Sequence, residues 1–176
     1  MDNLTVWVAK YLLYAMAVVF VAIWLFAERR AGRTELAISV IVGLICCGIF
    51  IVVAAKLHDD PRPFVGHPNV HPLFHHAADN GFPSDHSVAA GLIATLILVR
   101  HRLVGLLLAL CAVAIAAARV HAQVHHVQDV VAGLLLGVLA AAIGLVLTRL
   151  ICPRLPDRLM GRGGQEPPAV PAAHRA

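Results

Sequence analysis

From Leu36 to Ala55 the chain runs for 20 residues without a charged side chain. A segment of that length crosses a hydrocarbon core of about 30 Å as a helix, because a helix satisfies its backbone N–H and C=O groups internally where there is no water to do so. It is one of five apolar runs, at about Thr5 to Phe26, Glu35 to Ala55, Ser84 to Val99, Leu103 to Ala118 and Val127 to Leu147. The composition agrees. Sixty per cent of the residues are hydrophobic, 14% are charged and the mean hydropathy is +0.81, values that a water-soluble domain does not have. The sequence therefore predicts an all-α, polytopic membrane helix bundle of about five transmembrane helices over residues 1–152. A disordered cytoplasmic tail, 153–176, rich in Pro, Gly and Arg, is expected after it. The first run is too long for a signal peptide, and Arg29 and Arg30 follow it where a small-residue cleavage site would stand, so it reads as a retained span.

A net charge of +4 and a pI near 9.2 invite a nucleic-acid reading, but the arginines sit at the ends of apolar runs and no nucleic-acid module is visible. No nucleic-acid partner is expected; membrane lipids are. Five spans would place the N-terminus, residues 56–85 and residues 119–126 on one side. Arg29, Arg30, Arg33, Arg100, Arg102, Arg149, Arg154, Arg158, Arg162 and Arg175 then fall on the other. The positive-inside rule makes that arginine-rich side cytoplasmic, so the polar stretches face a periplasm or the cell exterior. Cys46, Cys47, Cys111 and Cys152 lie in or at the edge of apolar runs without metal-type spacing and read as small buried hydrophobes.

The outward side collects His58, His67, His71, His75, His76, His86, His121, His125 and His126. Histidines with aspartates can bind a metal, and His71/His75 and His121/His125 have helical i, i+4 spacing. Against this, Lys56, Arg62 and Arg119 converge on the same side, and a cluster of cations repels a metal ion and attracts an anion. No metal is therefore expected. If the chain is helical from Val124 onward, His125 and Asp129 stand about 6 Å apart on one face. A carboxylate there can hold one imidazole nitrogen and leave the other free to attack, while Arg119 can grip a phosphate oxygen. Phe82-Pro83-Ser84-Asp85-His86 opens the third span. The hydroxyl of Ser84 and the amides of Asp85 and His86 at that helix N-terminus suit an anion, although Pro83-Ser84 also serves as an ordinary N-cap. Asp59, Asp60 and Asp79 read as solvated loop groups, with Asp85 close enough to tune His86. His121, one turn before His125, is expected beside it, and His126 should point off its face. Gly133 and Gly137 form a Gly-x-x-x-Gly that suits either an internal helix contact or an oligomer.

Taken together, Lys56-x5-Arg62-Pro63, Pro83-Ser84-Asp85-His86 and Arg119-x5-His125-x3-Asp129 resemble the three motifs of the type-2 phosphatidic acid phosphatases, the membrane branch of a superfamily that includes vanadium haloperoxidases. The family has six residues between its lysine and arginine where this chain has five, a glycine where Asp85 stands, and a serine where Ala118 stands. Within the family, the stretch Asp79 to His86 resembles the bacterial undecaprenyl-diphosphatases, which recycle the carrier lipid of peptidoglycan synthesis. The resemblance implies a lipid diphosphate substrate, with phosphatidate, phosphatidylglycerol phosphate or another isoprenoid phosphate fitting the same residues. It also implies His125 as nucleophile, Asp129 as its orienting partner and His86 as general acid and base. Lys56, Arg62, Ser84, Asp85 and Arg119 would hold the phosphate, and no cofactor is implied. From another class, the chain could be a non-catalytic lipid transporter on the same fold.

Overall fold

The computed structural model describes residues 2–67 and 69–156. Most of the expected tail lies outside the described residues. Within them Cys152–Arg154 closes the last helix with a short 3-10 turn. Five long helices form. Helix α1 spans Asp2–Ala22 and ends in a π turn, Ile23–Ala27, α2 spans Arg30–Leu57, and a single turn, α3, covers Pro63–Gly66. Helix α4 then spans Asp85–Arg100, α5 Arg102–His121 and α6 Val127–Ile151.

Four of these segments, Asp2–Ala27, Arg30–Leu57, Arg102–His121 and Val127–Arg154, are long and apolar enough to cross a membrane. The remaining run, expected over Ser84 to Val99, is not among them. Its helix has 16 residues, as the expected run has, shifted by one, and the difference is in reach: a rise of about 24 Å falls short of a hydrocarbon core of about 30 Å. Helix α4 is also the central element: Val88, Ala90, Leu92, Ala94, Leu96 and Ile97 are all buried. By contrast α2, α5 and α6 carry exposed Leu44, Ile45, Leu106, Leu107, Leu110, Leu135 and Leu139. In water such a belt would be costly; against acyl chains it is the ordinary outer surface of a bundle.

Lipid is as apolar as leucine, so helices in a bilayer are held by close fit rather than by apolar burial. The Gly-x-x-x-Gly face supplies that fit inside this bundle. A Cβ at Gly133 would lie 2.7 Å from the Ser84 carbonyl and 2.9 Å from Ser87 Cβ, and one at Gly137 would collide with the Val88 carbonyl. The face left open to an oligomer by the sequence is therefore taken up by α4. At the far end of the bundle Arg100 bridges Glu28 and Glu35 at 3.2 and 2.9 Å, and the hydroxyls of Ser39 and Thr148 pair at 2.8 Å.

The loops at the other end are tied together by hydrogen bonds to backbone groups. Asn80 does most of this. Its Nδ2 donates to the carbonyls of Ala55 and His58, both at 3.1 Å, and its Oδ1 accepts from the amides of Asp60 and Phe82 at 3.1 and 2.9 Å. The Gly81 amide donates to Asp60 at 2.9 Å, the Ser84 amide to the Asp129 carbonyl at 3.1 Å, and the Leu73 amide to Ala122 at 3.1 Å. Residues 58–62, 73–84 and 122–129 thus meet at one end, over the N-terminus of α4.

Candidate active site

That end holds a cavity of about 240 Å³ whose walls include Arg62, His76, Asp85, His86, Arg119 and His125, with Ile51 and Ala55 of α2 on its apolar side. At its floor is His125, with 3% of its surface exposed. Its Nδ1 lies 2.9 Å from the Gly81 carbonyl and 3.4 Å from Asp129 Oδ2. Both neighbours only accept, so Nδ1 must carry the ring proton and Nε2 the lone pair. Nε2 in turn lies 3.2 Å from Arg62 Nη1 and 3.2 Å from Arg119 Nη2, two groups that only donate. The imidazole is locked in one tautomer, with its basic nitrogen directed between two guanidinium groups.

Each guanidinium is itself held. Arg62 Nε donates to Asp79 Oδ1 at 2.6 Å and its Nη1 to the Val124 carbonyl at 2.8 Å. Arg119 is stacked over the Phe74 ring, 5.7 Å from its centroid, and its Nη2 donates to His76 Nε2 at 3.1 Å. Arg62 and Arg119 are buried, 6% and 3% exposed, and among the described residues no carboxylate is bonded to Arg119. Such a pair of confined cations calls for an anion between them.

Burial pushes His125 below its ordinary 6.5; the Asp129 hydrogen bond works against this, and the charges of Arg119 and Arg62 add to it. His76 is lowered for the same first reason, with Arg62 and Arg119 adding. Burial pushes the Asp79 carboxyl up, but its hydrogen bond to Arg62 and that cation's charge prevail, and it titrates below its usual value. At neutral pH the cavity therefore offers two fixed cations and the neutral imidazoles of His76 and His125, the latter with a free lone pair at its base.

Residues 36–151, which contain every one of these groups, match the PAP2 superfamily. The chain belongs to that superfamily. This PAP2 protein is 34% identical over 151 residues, 85% of its length and 74% of the relative's, to undecaprenyl-diphosphatase BcrC of Bacillus subtilis strain 168. It is 35% identical over 133 residues to the bacitracin transport permease protein BcrC of Bacillus licheniformis, covering 76% of its own length and 64% of that relative. Among solved structures it resembles LpxE of Aquifex aeolicus with a TM-score of 0.68 and 25% identity, over 82% of this chain and 85% of that one. A PAP2-type phosphatidylglycerolphosphate phosphatase from Bacillus subtilis shares the fold, with a TM-score of 0.59 and 19% identity over 88% and 78% of the two chains. With its apolar helices, this places the PAP2 protein among multi-pass membrane proteins.

The bundle brings five of the residues singled out in the sequence, Arg62, Asp85, His86, Arg119 and His125, to the cavity, with Asp129 directly behind His125. Three others are elsewhere. Lys56 is exposed on the last turn of α2 and does not line the cavity. The helix continues to Leu57, and five residues, not six, separate Lys56 from Arg62. Ser84 occupies the N-cap position of α4, yet its side chain makes no cap bond and is fully buried outside the cavity lining. His121 is exposed on α5, in a surface depression with Val120 and Val127, not beside His125. The expected helix from Val124 also differs. Helix α6 begins at Val127, and His125 lies in the preceding turn, where Gln123 has φ of 60°.

Asp79, read as a solvated loop group, is exposed as expected but also pairs with Arg62, whereas Asp60, read the same way, has its carboxylate largely covered. Asp79 holds Arg62, while Asp60 accepts from His126 Nδ1 at 3.1 Å and from Gln128. Asp60, His126 and Asp129 present ligand-type atoms within 4.8 Å of one another, behind the cavity. Their oxygens already accept hydrogen bonds from His126 and Gln128. The sequence marks His76 only as one of a group of outward histidines, and it does not mark the Gly81 carbonyl at all. Nothing in spacing separates His76 from its histidine-rich neighbours, and a backbone acceptor leaves no residue-type signal.

Proposed function

We propose that this PAP2 protein hydrolyses a polyprenyl diphosphate, undecaprenyl diphosphate in a bacterial cell, to its monophosphate and inorganic phosphate. The observation that carries the reading is the His125 Nε2 lone pair held between Arg62 and Arg119. Nε2 attacks the terminal phosphorus, a P–N bond forms, and the bond to the bridging oxygen breaks. His86, at the first turn of α4, takes up a proton beside the negative charge of the bound substrate, gives it to the leaving phosphate oxygen, and later takes one from the water that hydrolyses the phosphohistidine. Arg62, Arg119 and the first amides of α4 carry the charge of the equatorial oxygens in a loose transition state. Asp129 supports the cation that His125 becomes on phosphorylation.

Ile51 and Ala55 let an apolar chain leave the cavity toward the bilayer, and the name of the Bacillus subtilis relative supplies the polyprenyl class. The far end of the bundle carries Arg29, Arg30, Arg33, Arg100, Arg102, Arg149 and Arg154, which favours a cytoplasmic far end and C-terminus and a site facing the outside of the inner membrane. The likeness to LpxE motivates a second reading, a different lipid phosphate as substrate. The permease name of the other relative motivates a third, transport without hydrolysis. Purified protein given undecaprenyl diphosphate, phosphatidate and phosphatidylglycerol phosphate separates them. The first should show the highest kcat/KM. A higher value on phosphatidate would replace the substrate class, and binding with no phosphate release would favour the transporter.

A further inference from the structure

We propose that His76 is a further substrate-binding residue, which yields Arg119 to the incoming phosphate, then donates an N–H to the second phosphoryl group, and so favours diphosphates over monoesters. The inference rests on the phosphatase reading above. Arg119 Nη2 lies between two ring nitrogens, 3.1 Å from His76 Nε2 and 3.2 Å from His125 Nε2. A guanidinium only donates, so both nitrogens hold lone pairs aimed at the same donor. The two rings meet edge to face with centroids 6.2 Å apart, and both line the cavity.

When a phosphoryl oxygen accepts from Arg119, His76 Nε2 loses its donor and faces an anion with a lone pair. The neutral ring then shifts its proton from Nδ1 to Nε2 by exchange with solvent, which turns that repulsion into a hydrogen bond. Arg62, Arg119 and the α4 amides already serve the oxygens of one phosphoryl group, and His86 serves the bridging oxygen. The additional nonbridging oxygens of a diphosphate need a further donor, and among the described residues His76 is the side chain left in the cavity wall to supply one, because Asn80 there already donates through Nδ2 to the carbonyls of Ala55 and His58. The ring is not what holds its loop. Phe74 is gripped between Lys10, 4.6 Å from its centroid, and Arg119, and Leu73 is tied to Ala122.

Full-length protein in mixed micelles, assayed on farnesyl diphosphate and on phosphatidate, tests this with His76→Leu and His76→Gln. In His76→Leu the KM for the diphosphate should rise at least about fivefold more than the KM for phosphatidate, with kcat the less affected parameter, and His76→Gln, which keeps a donor, should recover most of the difference. Equal losses on both substrates, a fall confined to kcat, or a glutamine variant no better than leucine would overturn the proposal and leave the phosphatase reading standing. Wild-type protein that cleaves phosphatidate but no diphosphate would overturn the proposal together with the diphosphate substrate class, and would leave hydrolysis itself standing.

Discussion

His125 has only one productive state, neutral with its proton on Nδ1, and its surroundings keep it there. Burial and the two arginines hold its titration below 6.5 despite the opposing pull of Asp129. The nucleophile is lost only when Nε2 is protonated, so activity falls as pH drops through the lowered value. The acid limb of kcat/KM, which reports the free enzyme, should therefore lie below pH 6.5; a limb above it would show the ring protonated at rest. The carbonyl of Gly81 makes the shorter of the two contacts to Nδ1. A Cβ at this glycine would lie 3.1 Å from Asp129 Oδ2 and 3.2 Å from the Asp60 carbonyl, both held by other bonds. Gly81→Ala should destabilise the protein by about 1–3 kcal/mol and lower kcat more than it raises KM, seen by thermal denaturation alongside kinetics. At this scale the sequence was legible where residue types carry the chemistry, as at Arg62, His86, Arg119, His125 and Asp129. It was opaque where a backbone group or a loop aspartate does the holding, as at Gly81 and Asp79.

The connection between α5 and α6 turns the spacing of the third motif into a site. Arg119 ends the buried face of α5, and Gln123, at φ of 60°, reverses the chain so that His125 drops to the cavity floor before α6 begins. His126 caps α6, with its amide donating to Asp129 at 2.7 Å, so one carboxylate fixes both the helix start and the nucleophile. The left-handed conformation at Gln123 suits glycine and opposes a β-branched residue. Gln123→Gly should leave stability unchanged or raise it by up to about 1 kcal/mol, whereas Gln123→Val should lower it by about 1–2 kcal/mol with a loss of kcat. Matching thermal midpoints for the two variants would show that the turn is not a constraint. Apolar period and length foretold each long helix to within a few residues. Helix ends were less legible: the α6 start depends on Gln123 and on the Asp129 bond, and α2 runs on far enough to leave Lys56 outside the site.

Across the whole molecule, the fold brings two cations from separate elements to one imidazole. Arg62 arrives from the loop after α2 and Arg119 from the end of α5, 57 positions apart in the sequence, and α4 lies between as the packed centre against which α5 and α6 are set. The Gly133 and Gly137 contacts bring α6 close enough to α4 for the Asp129 carbonyl to bond the Ser84 amide, which fixes the nucleophile's turn relative to the N-terminus of α4. Hydropathy could announce a bundle, but not which of its helices would be central, because that depends on which small residues meet. The most direct test of the account is rapid quenching of the enzyme with a diphosphate labelled in its terminal phosphate, followed by peptide mapping under alkaline conditions. An acid-labile, base-stable label on the peptide containing His125, absent in His125→Ala, is the predicted result. Label on another residue, or phosphate release by His125→Ala at the wild-type rate, would contradict it.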